Sequence, residues 1–396
     1  MRRVTAERRA DVAFLIGVFI GVAFIVIAGP LDRRIELVHE NDFSGFWAGA
    51  RALVIGADPY DAATWRDTVR VLGTQEPNTS VYGYVPWVAV ALVPLALLPL
   101  ETAAWIWMVG GVALAAIALR ALLRALVPAD AVLHFAFGLA LLVSQPGFHA
   151  LVLGQWSFVL LAALCAAIVA LRAGRDRTAG IIAAAFLAKP QLFVWTSLGM
   201  LVTARDRIRF VIAGGLTGLA IVALGWFVLP GWLAAWSADV APERLSRSAS
   251  ITVALRDVLG SPLGLGVALA FIAAGIAIAL RARGHDARLA LWSALGVAGA
   301  PYLWSYDQLL LLVSLALAGG ALADRRTARI VALAGIAALL VLAPLLYALA
   351  VARHRESFSA FLPAAMFVGL AVALLRERAT EEVERREPGA SPALGD

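Results

Sequence analysis

The sequence predicts an all-α integral membrane protein of many spans, and three observations carry that reading. Hydrophobic residues make up 62% of the 396, charged residues only 15%, and the mean hydropathy is +0.85. An ordinary globular chain is about a quarter charged. Apolar runs recur at roughly 17 to 25 residues, the length at which a helix crosses a hydrocarbon core of about 30 Å. The ten-residue alternation of an outer-membrane barrel is absent. The single cysteine, Cys165, excludes a disulfide framework and any multi-cysteine metal site. No His or carboxylate cluster stands at ligand spacing, so neither a metal nor another cofactor is expected. The net charge of +6 comes from arginines in short clusters between apolar runs, which reads as membrane anchoring and not as a nucleic-acid surface.

Those clusters set the topology. Arg2, Arg3, Arg8 and Arg9 precede the first run, Val12 to Gly29, so the amino terminus is expected on the cytoplasmic side. A basic end before an apolar run also describes a signal peptide, with Val26 and Ala28 before a cleavage point. The run exceeds the usual h-region of about 7 to 15 residues, which favours an uncleaved span. Residues 31 to 85 carry eight acidic residues against five arginines and are expected to be external. Within them Phe43, Phe46, Trp47, Ala50, Leu53 and Val54 recur at helical spacing. Asp42 stands where an N-cap would, and Gly56 with Pro59 closes the element. This predicts a short helix lying on the outer surface. Val85 to Leu100 contains Pro86, Pro94 and Pro99 and is short for a span, so it is read as a re-entrant or interfacial segment.

Cytoplasmic turns are then expected at Arg120 to Ala129, Arg172 to Arg177, Arg205 to Arg209, Arg281 to Arg288 and Arg325 to Arg329. About twelve crossings follow, with both termini inside and one domain over residues 1–375. The external first loop covers 31–101. The charged tail 376–396 has too little apolar content to fold and is expected to be disordered.

With the topology drawn from arginines alone, the unusual polar residues fall on the external side: His149, Gln155, Lys189, Gln191, Tyr306 and Asp307. Thr178 to Ala188 covers roughly 17 Å at about 1.5 Å per residue, too little to cross. Short helices ending in polar residues imply a water-filled funnel. Lys189 is the only lysine, against 32 arginines, and sits at a helix break before Pro190. It reads either as a cation snorkelling to a headgroup or as an anion site for phosphate. Asp307 opens a span, as a carboxylate stabilised by the helix dipole or as a sugar ligand. Trp304 and Tyr306 fit both interfacial belts and sugar platforms. Gln155 suits hydroxyl recognition, but a helix-end amide facing water looks the same. Asp42 is either a cap or a general base poised over the funnel. Glu40, Asp58 and Asp61 compete with it.

The order DF..FW.GARAL..GADPYD, Y.P....AL.PLALLPL, LGQWSF.LL, the AKPQ break and PYLWSYDQ.LLL, from about Asp42 to Leu312, resembles glycosyltransferase family 87. This is the polyprenyl-phosphate-mannose-dependent mannosyltransferase family of the GT-C superfamily. The resemblance implies a GT-C-like bundle in the cell membrane whose external first loop bears the catalytic acid. It implies transfer of a hexose, mannose by likeness, from a polyprenyl-phosphate sugar to a lipid or glycan acceptor on the extracytoplasmic face, without a nucleotide. Asp42 matches the loop carboxylate, Lys189 the basic residue near the lipid phosphate and Gln155 the Gly-Gln pair. Tyr60, Trp304, Tyr306 and Asp307 are the remaining expected substrate contacts. Some members carry a histidine near the last motif where this chain reads Ser305, Tyr306 and Asp307, so no histidine role is carried over. Other classes remain open: a transporter or lipid flippase with Lys189 and Asp307 in the substrate pathway, and a membrane scaffold. Paired interrupted helices in two related halves, the sign of the first, are not visible, and the second leaves Lys189 unexplained.

Overall fold

The structure, a computed structural model, describes residues 2–28, 38–74 and 79–386, and among them there are helices, turns and no strand. Parts of the first loop and the final ten residues of the tail therefore lie outside the described residues. Among the described residues, six helical segments are long and apolar enough to cross a membrane: Thr5–Ile27, Leu100–Leu126, Arg207–Val228, Leu263–Arg281, Arg325–Ala352 and Glu356–Arg376. The pair Ala131–Val143 and Gln145–Val152, bent by 42°, makes a seventh if counted as one broken span. The twelve crossings expected from the arginines are thus not reached by length and composition. The shortfall has a local cause. Polar or proline-bearing breaks at Ser144, Gln155, Lys189 and Asp307 cut apolar sequence into pieces too short to qualify, among them Ser157–Arg172 and Pro190–Thr203.

Small residues let the helices approach. Arg2–Ala28 lies along Ala131–Val143, with Gly17 and Gly138 facing each other's backbone. A Cβ on Gly138 would sit 2.3 Å from the Phe14 carbonyl oxygen, and one on Gly17 would sit 2.4 Å from that of Phe135. Asp176–Ala183 and Arg207–Val228 meet the same way through Gly180 and Gly214. In lipid, where tails are as apolar as leucine, such close packing drives association.

The arginine-bearing turns form one layer. Asp11 pairs with Arg120 and Arg124, Arg172 with Asp286, and Arg329 lies 3.9 Å from Asp130. Asp176 accepts the backbone N–H of Asp206 at 2.9 Å, closing the turn at 205–209 onto the turn at 172–177. These links tie together turns that sequence reasoning put on one side of the membrane.

At the other end lies the surface helix, Asp42–Val54, with Phe43, Phe46, Trp47 and Ala50 buried. It packs on Pro86–Ala96, whose 11 residues extend about 16 Å, too short to cross. The helix that begins at Phe361 continues through Arg376 to Arg386. Ala, Glu and Arg are good helix formers, and extending an existing helix needs no costly nucleus.

Candidate active site

The surface helix starts one residue earlier than its pattern suggested. Asn41 is the N-cap, in extended conformation, its side chain accepting the Ser44 N–H at 3.1 Å while Ser44 Oγ donates back to the Asn41 carbonyl at 2.7 Å. Asp42 is therefore not the cap. It is the first helical residue, and its half-buried carboxylate accepts a hydrogen bond from Gln155 Nε2. Asn41 takes the capping role because it too offers a short acceptor side chain.

Gln155 reaches Asp42 because of the residue before it. Gly154 has φ +63°, and a Cβ there would meet the Phe43 Cβ at 2.6 Å. The Phe43 N–H donates to the Leu153 carbonyl at 3.1 Å, and Trp107 Nε1 donates to the Gly154 carbonyl at 2.7 Å. The turn 153–155 is thus docked on the first turn of the surface helix. Gln155 is 2% exposed, and among the described residues its Oε1 has no hydrogen-bond partner. A buried acceptor left without a donor costs about 1–3 kcal/mol, so this oxygen is suited to a substrate hydroxyl.

Two residues on, the same turn reaches a second cluster. Ser157 Oγ donates to Asp307 Oδ1 at 3.0 Å, and Lys189 Nζ lies 2.5 Å from that oxygen. The helix Asp176–Ala183 tightens into a 3-10 turn over Ala184–Ala188 and breaks at Lys189, after which Pro190 opens the next helix. Proline disfavours the α conformation in the residue before it, so the break falls at the lysine. Lys189 Nζ also stands 4.4 Å from the Tyr306 ring centroid, a cation–π contact. Asp307 is fully buried and takes the Trp304 N–H on its other oxygen at 3.4 Å. Asp307 thus caps its own turn and pairs with Lys189.

A small pocket over Lys189 is walled by Tyr84, Val85, Trp236, Tyr302, Trp304 and Tyr306. Aromatic walls beside a buried cation suit a sugar joined to a phosphate. It shares Val85, Pro190, Gln191, Trp236 and Tyr302 with an apolar groove of about 800 Å³ between Trp87, Trp195, Trp232 and Leu269. A separate apolar cavity of about 540 Å³ lies on the far side of the surface helix, between Val22, Met108 and Phe148, and reaches Asn41.

Some expected residues stand back from this centre. Tyr60 is buried, with its hydroxyl donating to the Tyr84 carbonyl and its ring against Tyr82 and Trp232. Burial, with Asp58 nearby, pushes its phenol above the ordinary value, so it stays protonated. It does not line the pocket, and it is joined to the pocket's wall through the Tyr84 carbonyl. Glu40, Asp58 and Asp61 are exposed, and the last two cap Tyr60 and Thr64.

One residue went unnoticed in the sequence. Glu356 accepts the Ser305 N–H at 3.2 Å and lies within electrostatic reach of Asp307 and Asp42. In the sequence it is one charge beside Arg353, His354 and Arg355. His149 Nδ1 is 3.1 Å from Ser305 Oγ, and its Nε2 is 3.3 Å from the Tyr347 hydroxyl. A histidine does therefore stand beside the last motif, brought there from the short helix Gln145–Val152. Its polarity marked it in the sequence; its partner, 156 residues away, did not.

A family model, glycosyltransferase family 87, matches residues 82–305. No curated protein matches the chain. Among solved structures, the chain is similar to ArnT from Cupriavidus metallidurans bound to undecaprenyl phosphate, at 14% identity and TM-score 0.45, over 93% of this chain and 78% of that one. It is also similar to ArnT from Cupriavidus metallidurans in the apo state, at 17% identity and TM-score 0.42, over 89% and 76%.

Proposed function

Because the chain belongs to glycosyltransferase family 87, we propose that it moves a hexose, mannose by family likeness, from a polyprenyl-phosphate sugar to a lipid or glycan acceptor on the extracytoplasmic face. One observation carries the reading. The turn Gly154–Ser157 holds the Asp42 carboxylate through Gln155 and, through Ser157, the buried Lys189–Asp307 pair. A base and a cation are thus fixed by one rigid element, the arrangement that transfer with a charged leaving group needs.

Asp42 takes the proton of the acceptor hydroxyl as that oxygen attacks the anomeric carbon. The bond from the anomeric carbon to the phosphate oxygen breaks on the opposite face, its electron pair leaves with polyprenyl phosphate, and configuration inverts. Lys189 stabilises the charge that grows on the leaving phosphate. Asp307 and Ser157 position Lys189, Gln155 Oε1 receives a hydroxyl, and Trp304 with Tyr306 walls the sugar. The isoprenoid tail lies in the groove beside Trp87 and Trp195, with the segment Val85 to Leu100 as one wall. The cavity that reaches Asn41 favours an acceptor carried on lipid, arriving from the side of Asp42. A transporter in which Lys189 and Asp307 bind an ion is less well supported, because the two already satisfy each other.

The test is transfer of labelled mannose from polyprenyl-phosphate-mannose by purified protein in nanodiscs, wild type against Asp42→Asn, with donor binding measured in both. Wild-type transfer lost in the variant while donor binding persists supports the reading. Equal transfer by both forms sinks Asp42 as the base and turns attention to Glu356.

A further inference from the structure

Lys189 is charge-compensated within the protein, so a donor phosphate that approaches it meets a pair of no net charge. The groove leading there carries one cation among its lining residues, Arg256. It sits in the last turn of the nine-residue helix Ile251–Leu259, is exposed, and among the described residues has neither an ion-pair nor a side-chain hydrogen-bond partner. Its neighbour Asp257 is engaged elsewhere, by Arg355 at 2.9 Å and Ser357 at 2.7 Å. The remaining lining is apolar or aromatic apart from Gln191, Thr252 and Tyr302, and Val194, Leu265 and Leu269 are exposed, so the groove opens sideways to lipid. A last-turn arginine is favourable with the helix dipole, which explains tolerance of the charge there but not its facing an apolar channel.

We propose that Arg256 is the anchor for the phosphate of an isoprenoid phosphate lipid whose tail fills this groove. The inference rests on the donor reading above and adds the residue that captures the donor. Three features favour this occupant: an uncompensated guanidinium, whose fork matches phosphate oxygens, an apolar channel of about 800 Å³ beside it, and continuity of that channel with the Lys189 pocket through Pro190, Gln191 and Tyr302. The division of labour follows from charge. The donor phosphodiester carries one negative charge, which Arg256 meets on binding. As the anomeric C–O bond breaks, the departing phosphate gains a second, which Lys189 meets in the transition state.

The experiment measures binding of undecaprenyl phosphate and of undecaprenol to protein in nanodiscs of phosphatidylcholine, for wild type, Arg256→Ala, Arg256→Lys and the control Arg353→Ala. The proposal expects Arg256→Ala to bind the phosphate about tenfold or more weakly, as loss of a charge-assisted hydrogen bond gives. Arg256→Lys should retain part of the affinity, Arg353→Ala should equal wild type, and undecaprenol should bind all forms alike. Equal phosphate binding by wild type and Arg256→Ala overturns the inference and leaves the donor reading standing. A parallel loss of undecaprenol also overturns it, since Arg256 would then only shape the groove. Wild type that binds no undecaprenyl phosphate overturns the donor reading, and this inference with it.

Discussion

Lys189 Nζ and Asp307 Oδ1 are 2.5 Å apart, their side chains 7% and 0% exposed, although 118 residues separate them in the chain. Removing one member of such a pair leaves an uncompensated buried charge and costs about 3–5 kcal/mol, whereas replacing both with apolar residues of similar volume is often neutral. Asp307→Leu and Lys189→Met are each expected to lower the thermal midpoint strongly. The double variant should recover much of it and still transfer no sugar. Thermal unfolding in detergent alongside the transfer assay separates the two roles; a double variant that keeps wild-type turnover would show the pair to be scaffolding.

The halves of this pair were legible to different degrees. Lys189 stood out as the only lysine beside a proline, and Asp307 as a carboxylate opening an apolar run. Their pairing did not, because nothing local joins residues brought together by tertiary packing. The surface helix was readable from its 3.6-residue period, and the placement of turns from their arginines. Its cap was off by one because Asn41 and Asp42 have equivalent capping chemistry, and only backbone geometry decides between them. Crossing number was the weakest inference. A positive-inside count assigns sides to loops, but says nothing of apolar stretches cut short by polar or proline-bearing breaks, as Ser157–Arg172 is.

Gln155 has one group on Asp42 and the other, among the described residues, unsatisfied. Gln155→Leu should lower kcat by about 10- to 100-fold, less than the roughly 10²- to 10⁴-fold that a positioned base contributes, because Asp42 itself remains, with a smaller change in the donor KM. Gln155→Glu makes a sharper test. Two adjacent carboxylates share a proton, which raises the apparent pKa of the pair. Since the base works only when ionised, the rising limb of the rate profile should move to higher pH. A profile unmoved in Gln155→Glu would mean that Asp42 does not titrate in the step being measured.

Tyr60→Phe tests whether this tyrosine meets substrate or holds the pocket wall. Its hydroxyl donates to the Tyr84 carbonyl, so the variant removes that hydrogen bond, at about 0.5–1.5 kcal/mol. A lowered thermal midpoint with donor KM and kcat within about twofold is expected if Tyr60 only supports Tyr84. A donor KM raised severalfold with the midpoint unchanged would place the hydroxyl against the sugar instead.

Gly154 and Gly56 share a left-handed backbone, at φ +63° and +77°, but differ in surroundings. A Cβ on Gly56 meets nothing within 4 Å, while one on Gly154 would run into Phe43. Gly56→Ala should therefore cost only the strain of a left-handed L-residue, about 1–2 kcal/mol, with turnover near wild type. Gly154→Ala adds the clash, typically about 1–3 kcal/mol, and the chain has few ways to relieve it: Trp107 holds the Gly154 carbonyl, and the Leu153 carbonyl is bonded to the Phe43 N–H. The turn must lift from the surface helix, drawing Gln155 from Asp42 and disturbing Ser157 at Asp307. Loss of turnover well beyond the loss of stability, with undecaprenyl phosphate binding kept, is the expected signature. Comparing the two alanine variants by unfolding and by single-turnover transfer isolates the contribution of that contact, because the backbone strain is common to both.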